Sequence, residues 1–193
     1  MGSIERRKFH PQKAEIARAR VVLVGDQGIG KSELVQALAA RGSESERLAA
    51  VPVDALGTQQ GTTTGVDFVV AAAPRLDNVT KQVRCGLIDL SGKEEFAEVR
   101  SEFYKEAHVL ILVANMKHKA PSAQLEGQWL AEAEQHGLPA ECRRLVVAWN
   151  ATDSTPKTLK DWAARKSLTL IDCNSSGAGL LQLWLEISRA VTV

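Results

Sequence analysis

The sequence predicts an α/β fold, a mainly parallel six-stranded sheet with one antiparallel hairpin and helices on both faces. Two observations carry this. Short runs of Val, Ile, Leu and Ala alternate along the chain with stretches of helical spacing, except for one early pair of adjacent runs. The first apolar run also leads straight into a glycine-rich turn that opens a helical stretch, the local order of a strand–loop–helix unit.

Taken in order, residues 1–19 are polar and basic (Arg6, Arg7, Lys8, Lys13, Arg18), broken by Pro11, and predict a flexible leader ahead of a single domain at 20–193. Residues 20–24 form a short β-branched strand, and 31–41 a helix through Leu34, Leu38 and Ala39. Residues 42–61, rich in Gly, Ser and Gln and without periodicity, predict a long mobile loop. Two strands at 66–73 and 82–89 flank a turn at 74–78, which makes the hairpin. A helix at 96–105 and a fully apolar strand at 109–114 follow. Next come a helix at 122–136 with Ser122 as N-cap and a strand at 144–149. A helix at 158–166, a strand at 168–172 and an amphipathic helix at 180–190 complete the chain.

A chain of 193 residues is long enough to bury about two-thirds of its unfolded surface in one core. Its formal net charge of +1 offers no one-signed face for a nucleic acid, so no such partner is expected. Three cysteines, Cys85, Cys142 and Cys173, lie far apart without metal-ligand spacing and read as reduced core residues. Met1-Gly2 begins like a myristoylation signal, but Arg6 stands where that signal wants Ser or Thr. No prenylatable cysteine ends the chain, and the expectation is a protein without a lipid anchor.

The chemistry concentrates at Gly25-Asp26-Gln27-Gly28-Ile29-Gly30-Lys31-Ser32, which matches G-x-x-x-x-G-K-[ST] between a strand and a helix. In this context the backbone from Asp26 to Glu33 curls around phosphates, and the helix aims its positive end at the anion. Lys31 reaches the β- and γ-phosphates of a nucleoside triphosphate, and the Ser32 hydroxyl ligates Mg²⁺. Asp89 ends an apolar strand three residues before Gly92. It supplies the second carboxylate such sites need, with the Gly92 N–H facing the γ-phosphate.

Three further stretches establish a resemblance. Thr63-Thr64-Gly65-Val66-Asp67-Phe68 is similar to the T-x-G-V-D-F segment of Rab GTPases, and residues 89–96 resemble their D-T-A-G-Q-E-x-F segment. Residues 103–108 then match the start of the strand that follows. The resemblance, over residues 20–191, is to the Rab-like small GTPases of the Ras superfamily, and it implies the P-loop small-GTPase fold with bound GTP or GDP and Mg²⁺. It makes Thr63 a magnesium ligand of the GTP state and residues 91–99 the second switch. It places Asn150 and Asp153 on guanine and the backbone of Asn174, Ser175 and Ser176 at the base oxygen. It puts Phe68, Ile88 and Phe103 on the surface that partners grip, although all three also suit a core.

This chain departs from the pattern where the base is read and where water is positioned. Asn150-Ala151-Thr152-Asp153 lacks the packing lysine of N-K-x-D, and Lys93 replaces the glutamine that orients water. Trp149, directly before Asn150, belongs either to the core or beside the base. Turnover at or below about 10⁻⁴ s⁻¹ is expected, so no catalytic residue is assigned. Residues 104–115, the eroded base loops and the missing lipid tail are similar to the Rab-like GTPases of intraflagellar transport. Among these the chain resembles the Rab-like five branch (subunit twenty-two) more than the Rab-like four branch (subunit twenty-seven). That resemblance implies coiled-coil subunits of the intraflagellar transport complex as partners and a location at the cilium or flagellum and its base.

Overall fold

Residues 21–24 and 109–114 are uninterrupted Val, Leu, Ile and Ala, and such runs are stable as strands where helices cover both faces of a sheet. In the computed structural model, which describes residues 16–42, 63–74, 82–116, 118–151 and 155–192, they become the two central strands. These are β1 (Ile16–Val24) and β4 (Val109–Ala114), the latter buried along its whole length. Around them lie β2 (Val66–Ala72), β3 (Gln82–Leu90), β5 (Arg143–Trp149) and β6 (Thr169–Cys173). The six strands run in the order β2-β3-β1-β4-β5-β6. Only β2 is antiparallel to its neighbour, as the hairpin predicts.

Helices cover both faces. On one, α1 (Lys31–Arg41) and α6 (Leu180–Thr192) press Leu34, Leu38, Leu183, Trp184 and Ile187 onto the sheet. The Trp184 indole N–H donates to the Leu38 carbonyl at 3.1 Å, so the large ring is buried without an orphaned donor. On the other face are α2 (Ala97–Tyr104), a long rod at residues 121–135, and α5 (Lys157–Arg165). These bury Tyr104, Trp129, Ala133, Leu159 and Trp162.

The differences from expectation have local causes. β1 begins at Ile16, four residues early, because Ala17 and Ala19 alternate with Arg18 and Arg20 along β3, in register from Ile16↔Gln82. The end of the expected leader is therefore strand, while residues 1–15 lie outside the described residues. The loop expected at 42–61 lies outside them too, apart from Gly42, whose N–H caps α1 on Leu38 O at 3.1 Å. So does the hairpin turn beyond Pro74.

The long rod starts at Pro121, not after a Ser122 cap. Proline fits a first helical position because it has no N–H to satisfy, and no side chain caps that end. The rod runs from α3 (Pro121–Gln124) through a π-helical stretch (Leu125–Leu130) into α4 (Ala131–Gln135). The wider turn contains Gly127 and Trp129. All three cysteines are buried as free thiols. Burial pushes the thiols of Cys85 and Cys173 up to about 12 and that of Cys142 up to about 11, with the Asp172 charge adding to the rise at Cys173.

Candidate functional site

β1 delivers the chain to the end of the sheet, and the turn from Gly25 to Gly30 must reverse it into α1. Gly30 adopts φ 93°, and a Cβ there would sit 2.5 Å from the Trp149 ring, so only glycine fits. Gly25 approaches β4 so closely that a Cβ would meet the Val113 carbonyl at 2.6 Å. Among the described residues no side chain caps the start of α1, and free N–H groups at a helix N-terminus suit an anion.

Lys31 is buried and lies across the loop, its Nζ donating to Gly25 O and Asp26 O at 2.8 Å each. Burial lowers its pKa to about 8, against the opposing pull of Asp89 and Asp26. A cation held at this cost in a glycine loop is poised for phosphate.

Beside it three side-chain oxygens converge. Ser32 Oγ is 3.1 Å from Thr63 Oγ1, and both hydroxyls donate to Asp89 Oδ2, at 2.5 and 2.9 Å. The other carboxylate oxygen, Asp89 Oδ1, is buried and has no hydrogen-bond partner among the described residues. Burial raises the Asp89 pKa, against the Ser32 bond, the Lys31 charge and the Thr63 bond. Asp67 faces Asp89 across the β2–β3 register, and burial plus the Asp89 charge raise its pKa as well. Hard oxygen donors with excess negative charge and one orphaned carboxylate oxygen fit Mg²⁺, which takes one or two carboxylates and otherwise keeps water or phosphate. Ser32, Thr63 and Asp89 would hold it, and the ion would neutralise charge on the phosphates.

The stretch after β3 lies directly over the phosphate loop. A Cβ on Gly92 would be 2.3 Å from Gln27 N and 2.5 Å from Asp26 C. Lys93 turns its ammonium to Glu95 at 3.4 Å, on the partly exposed side of the turn. The side chain of Asp26, counted with the phosphate binders, turns away from the loop: its carboxylate is held by Asn115, Gln124 and Trp129. Its backbone alone faces the loop interior. Glu33 is occupied too, accepting the Trp149 indole N–H at 3.3 Å.

At the base side, Asn150 takes a left-handed φ of 50°, which Asn tolerates better than most residues, and its Oδ1 accepts Ser175 N–H at 2.9 Å. The loops at 150 and 174–176 therefore meet. Asn174 is spent internally on Ser176 and Ala178. Trp149 packs in the core against Gly30 and is not open to a base. Asp153 lies outside the described residues.

The expected partner triad separates. Phe68 is 49% exposed, lying over Gly86 on the edge strand β2, and Phe103 is half-buried. Ile88 is 2% exposed and belongs to the core, because β3 is covered there by the 96–105 helix region. Ile88→Ala is therefore expected to cost about 2–5 kcal/mol in urea unfolding, and Phe68→Ala at most about 1 kcal/mol. Similar losses for both would contradict this division.

Sequence reading passed over Arg100, which holds the carbonyls of Ser91 and Lys93 and is itself paired with Glu132 and set over the Trp129 ring. Periodicity marks Arg100 only as a polar helix position, and nothing local points to a carboxylate thirty-two residues away.

A family model described as the Ras of Complex, Roc, domain of DAPkinase matches residues 20–153. DnaJ homolog subfamily C member 27-A of Xenopus laevis is 27% identical over 184 residues, 90% of this chain and 61% of the relative. Ras-related protein RABC2a of Arabidopsis thaliana is 29% identical over 128 residues, 66% of this chain and 53% of its own length. Ras-related protein Rab-1 of Theileria annulata is 24% identical over 127 residues, 66% of this chain and 50% of its own. The matches thus span half to about three-fifths of these relatives.

Proposed function

The chain belongs to the Roc family of Ras-like GTPase domains, and on that premise we propose that it binds GTP or GDP with Mg²⁺, hydrolyses GTP slowly, and works as an assembly subunit through its switch surface. The observation that carries the first part is the oxygen triangle of Ser32, Thr63 and Asp89 beside Lys31. Thr63 comes from a segment distant in the chain, so a glycine turn with an incidental lysine would not gather it there. Titrating GTP, GDP and ATP against the purified protein is the test. Equal affinity for GTP and ATP would reject the guanine assignment of Asn150, Asp153 and the 174–176 loop.

Slow hydrolysis follows from Lys93. An ammonium only donates hydrogen bonds, so it cannot accept one from the attacking water as the amide oxygen of glutamine does. Here it also pairs with Glu95. Single-turnover hydrolysis is expected at or below about 10⁻⁴ s⁻¹, and Lys93→Gln should raise it. A fast native rate, or a Lys93→Gln variant no faster than the native chain, would count against this role.

The assembly role is supported by exposed Phe68 and Val99 near the nucleotide switches. Coiled-coil subunits of the intraflagellar transport complex, at the cilium or flagellum and its base, are the partners we propose on the resemblance of residues 104–115 and of the eroded base loops. Binding of such a partner unchanged by nucleotide removal and by Phe68→Ala would argue against it. A second reading, a cycling trafficking switch driven by an activating protein, is favoured by the complete metal triangle, since an activator adds about 10³–10⁵ in rate. Turnover unaffected by extract of the source organism would exclude it. Among the described residues, no helix is long and apolar enough to cross a membrane.

A further inference from the structure

We propose that Arg100 is a positioning residue that locks the Gly92 segment to the phosphate loop through Trp129 and Asp26, making triphosphate binding depend on the helix at 121–135. The inference rests on the nucleotide-binding reading above.

The connection is continuous in space. Asp26, in the phosphate loop, accepts Asn115 Nδ2 at 2.8 Å and Gln124 Nε2 at 2.6 Å on one oxygen and Trp129 Nε1 at 3.1 Å on the other. The Arg100 guanidinium stands 5.1 Å from the centroid of the Trp129 ring. Arg100 Nε and Nη2 each donate to Glu132 at 2.7 Å, a two-pronged pair, and Tyr104 OH adds a bond to Glu132 at 2.6 Å. Arg100 Nη1 then reaches up to Ser91 O at 3.0 Å and Lys93 O at 2.5 Å.

The carbonyls on either side of Gly92 are thus held by one guanidinium, while Gly92 itself rests on the phosphate-loop backbone. Trp129 and Glu132 are three residues apart on the rod, at the junction of its π-helical and α-helical parts, so one face carries both contacts.

A buried ion pair alone is weak evidence for stability, since desolvation cancels much of its attraction. This pair, however, joins the backbone on either side of Gly92 to Trp129, whose indole N–H donates to the Asp26 carboxylate of the phosphate loop. The Gly92 N–H meets only the third phosphate in the binding mode proposed above, whereas the loop and Lys31 also serve a diphosphate. Loosening the clamp should therefore fall selectively on the triphosphate.

The experiment compares GDP and a non-hydrolysable GTP analogue, each with Mg²⁺, on the native chain, Glu132→Gln and Trp129→Phe, with thermal melting to establish that each is folded. Glu132→Gln is expected to weaken the triphosphate analogue about tenfold and GDP less than about twofold. Trp129→Phe keeps a ring but removes the donor to Asp26, and it should shift selectivity in the same direction. It also tests the idea if Glu132→Gln does not fold. The double variant should be no worse than Glu132→Gln alone. Equal losses for both nucleotides, or none, would overturn the clamp while leaving nucleotide binding intact. A native chain that binds neither nucleotide would overturn the functional reading, and the clamp with it.

Discussion

Lys31→Met is expected to abolish nucleotide binding while making the nucleotide-free protein more stable. The ammonium would contribute charge-assisted bonds to phosphate, and removing one partner of such a buried pair costs about 2–5 kcal/mol, or roughly 30- to 5,000-fold in affinity. In the empty, magnesium-free fold the same charge is a burden, because burial lowers its pKa from 10.5 to about 8. Below pH 8 the lysine is protonated in both folded and unfolded chains, and the full penalty, about 3 kcal/mol, is present. Between pH 8 and 10.5 the unfolded chain binds more protons than the folded one, so native stability rises with pH.

Methionine keeps the packing of the stem but leaves Gly25 O and Asp26 O without their donor, which returns part of that energy. Lys31→Met should be about 1–2 kcal/mol more stable at pH 7, and its advantage should shrink as pH rises toward 10. Urea unfolding of the two proteins at both pH values measures this. A variant less stable than the native chain at pH 7 would mean that the lysine is not desolvated at net cost.

Gly92→Ala is the second large effect. The new methyl would lie 2.3 Å from Gln27 N, 2.5 Å from Asp26 C and 2.6 Å from Gly25 O, all backbone atoms that no rotamer change can move. Either the phosphate loop or the segment after β3 must give way. About 2–3 kcal/mol of stability should be lost, together with any preference for a triphosphate over a diphosphate. Gly127→Ala is the matched control, since a Cβ there meets nothing within 4 Å and glycine is a poor helix former. Equal melting temperatures for the two variants would show that the contact at Gly92 is not tight.

What the sequence made legible was whatever neighbours in the chain determine. Gly25 to Ser32 are consecutive, so a strand and a helix on either side suffice to place Lys31 and Ser32. The apolar runs of β1 and β4 declare themselves central by composition alone. Ile88 was ambiguous because an apolar residue on a strand suits a surface groove as well as a core, and only the covering helix decides. The anchoring of the Asp26 carboxylate was not legible, because its motif position speaks only for its backbone. Its three donors come from residues 115, 124 and 129, which share no pattern with it. Arg100 and Glu132 were invisible for the same reason: complementarity across two helices leaves no period in either. The early start of β1 was hidden by arginines whose alternation with alanine reads equally well as a basic tail.

The place of β1 also has a consequence for synthesis. The first strand among the described residues sits in the middle of the sheet, and its parallel neighbours are β3 and β4, with Val24 paired to Leu112. The earlier of these, β3, leaves the ribosome sixty-six residues later, with Leu23 paired to Asp89, which at about 5–20 residues per second is roughly 3–13 s of translation. Until then an apolar strand ending in the phosphate loop has no sheet to join, and its other edge stays open until β4 emerges. The nascent chain should thus be a client for holding chaperones over that interval, and ligand cannot assist its folding before Asp89 emerges.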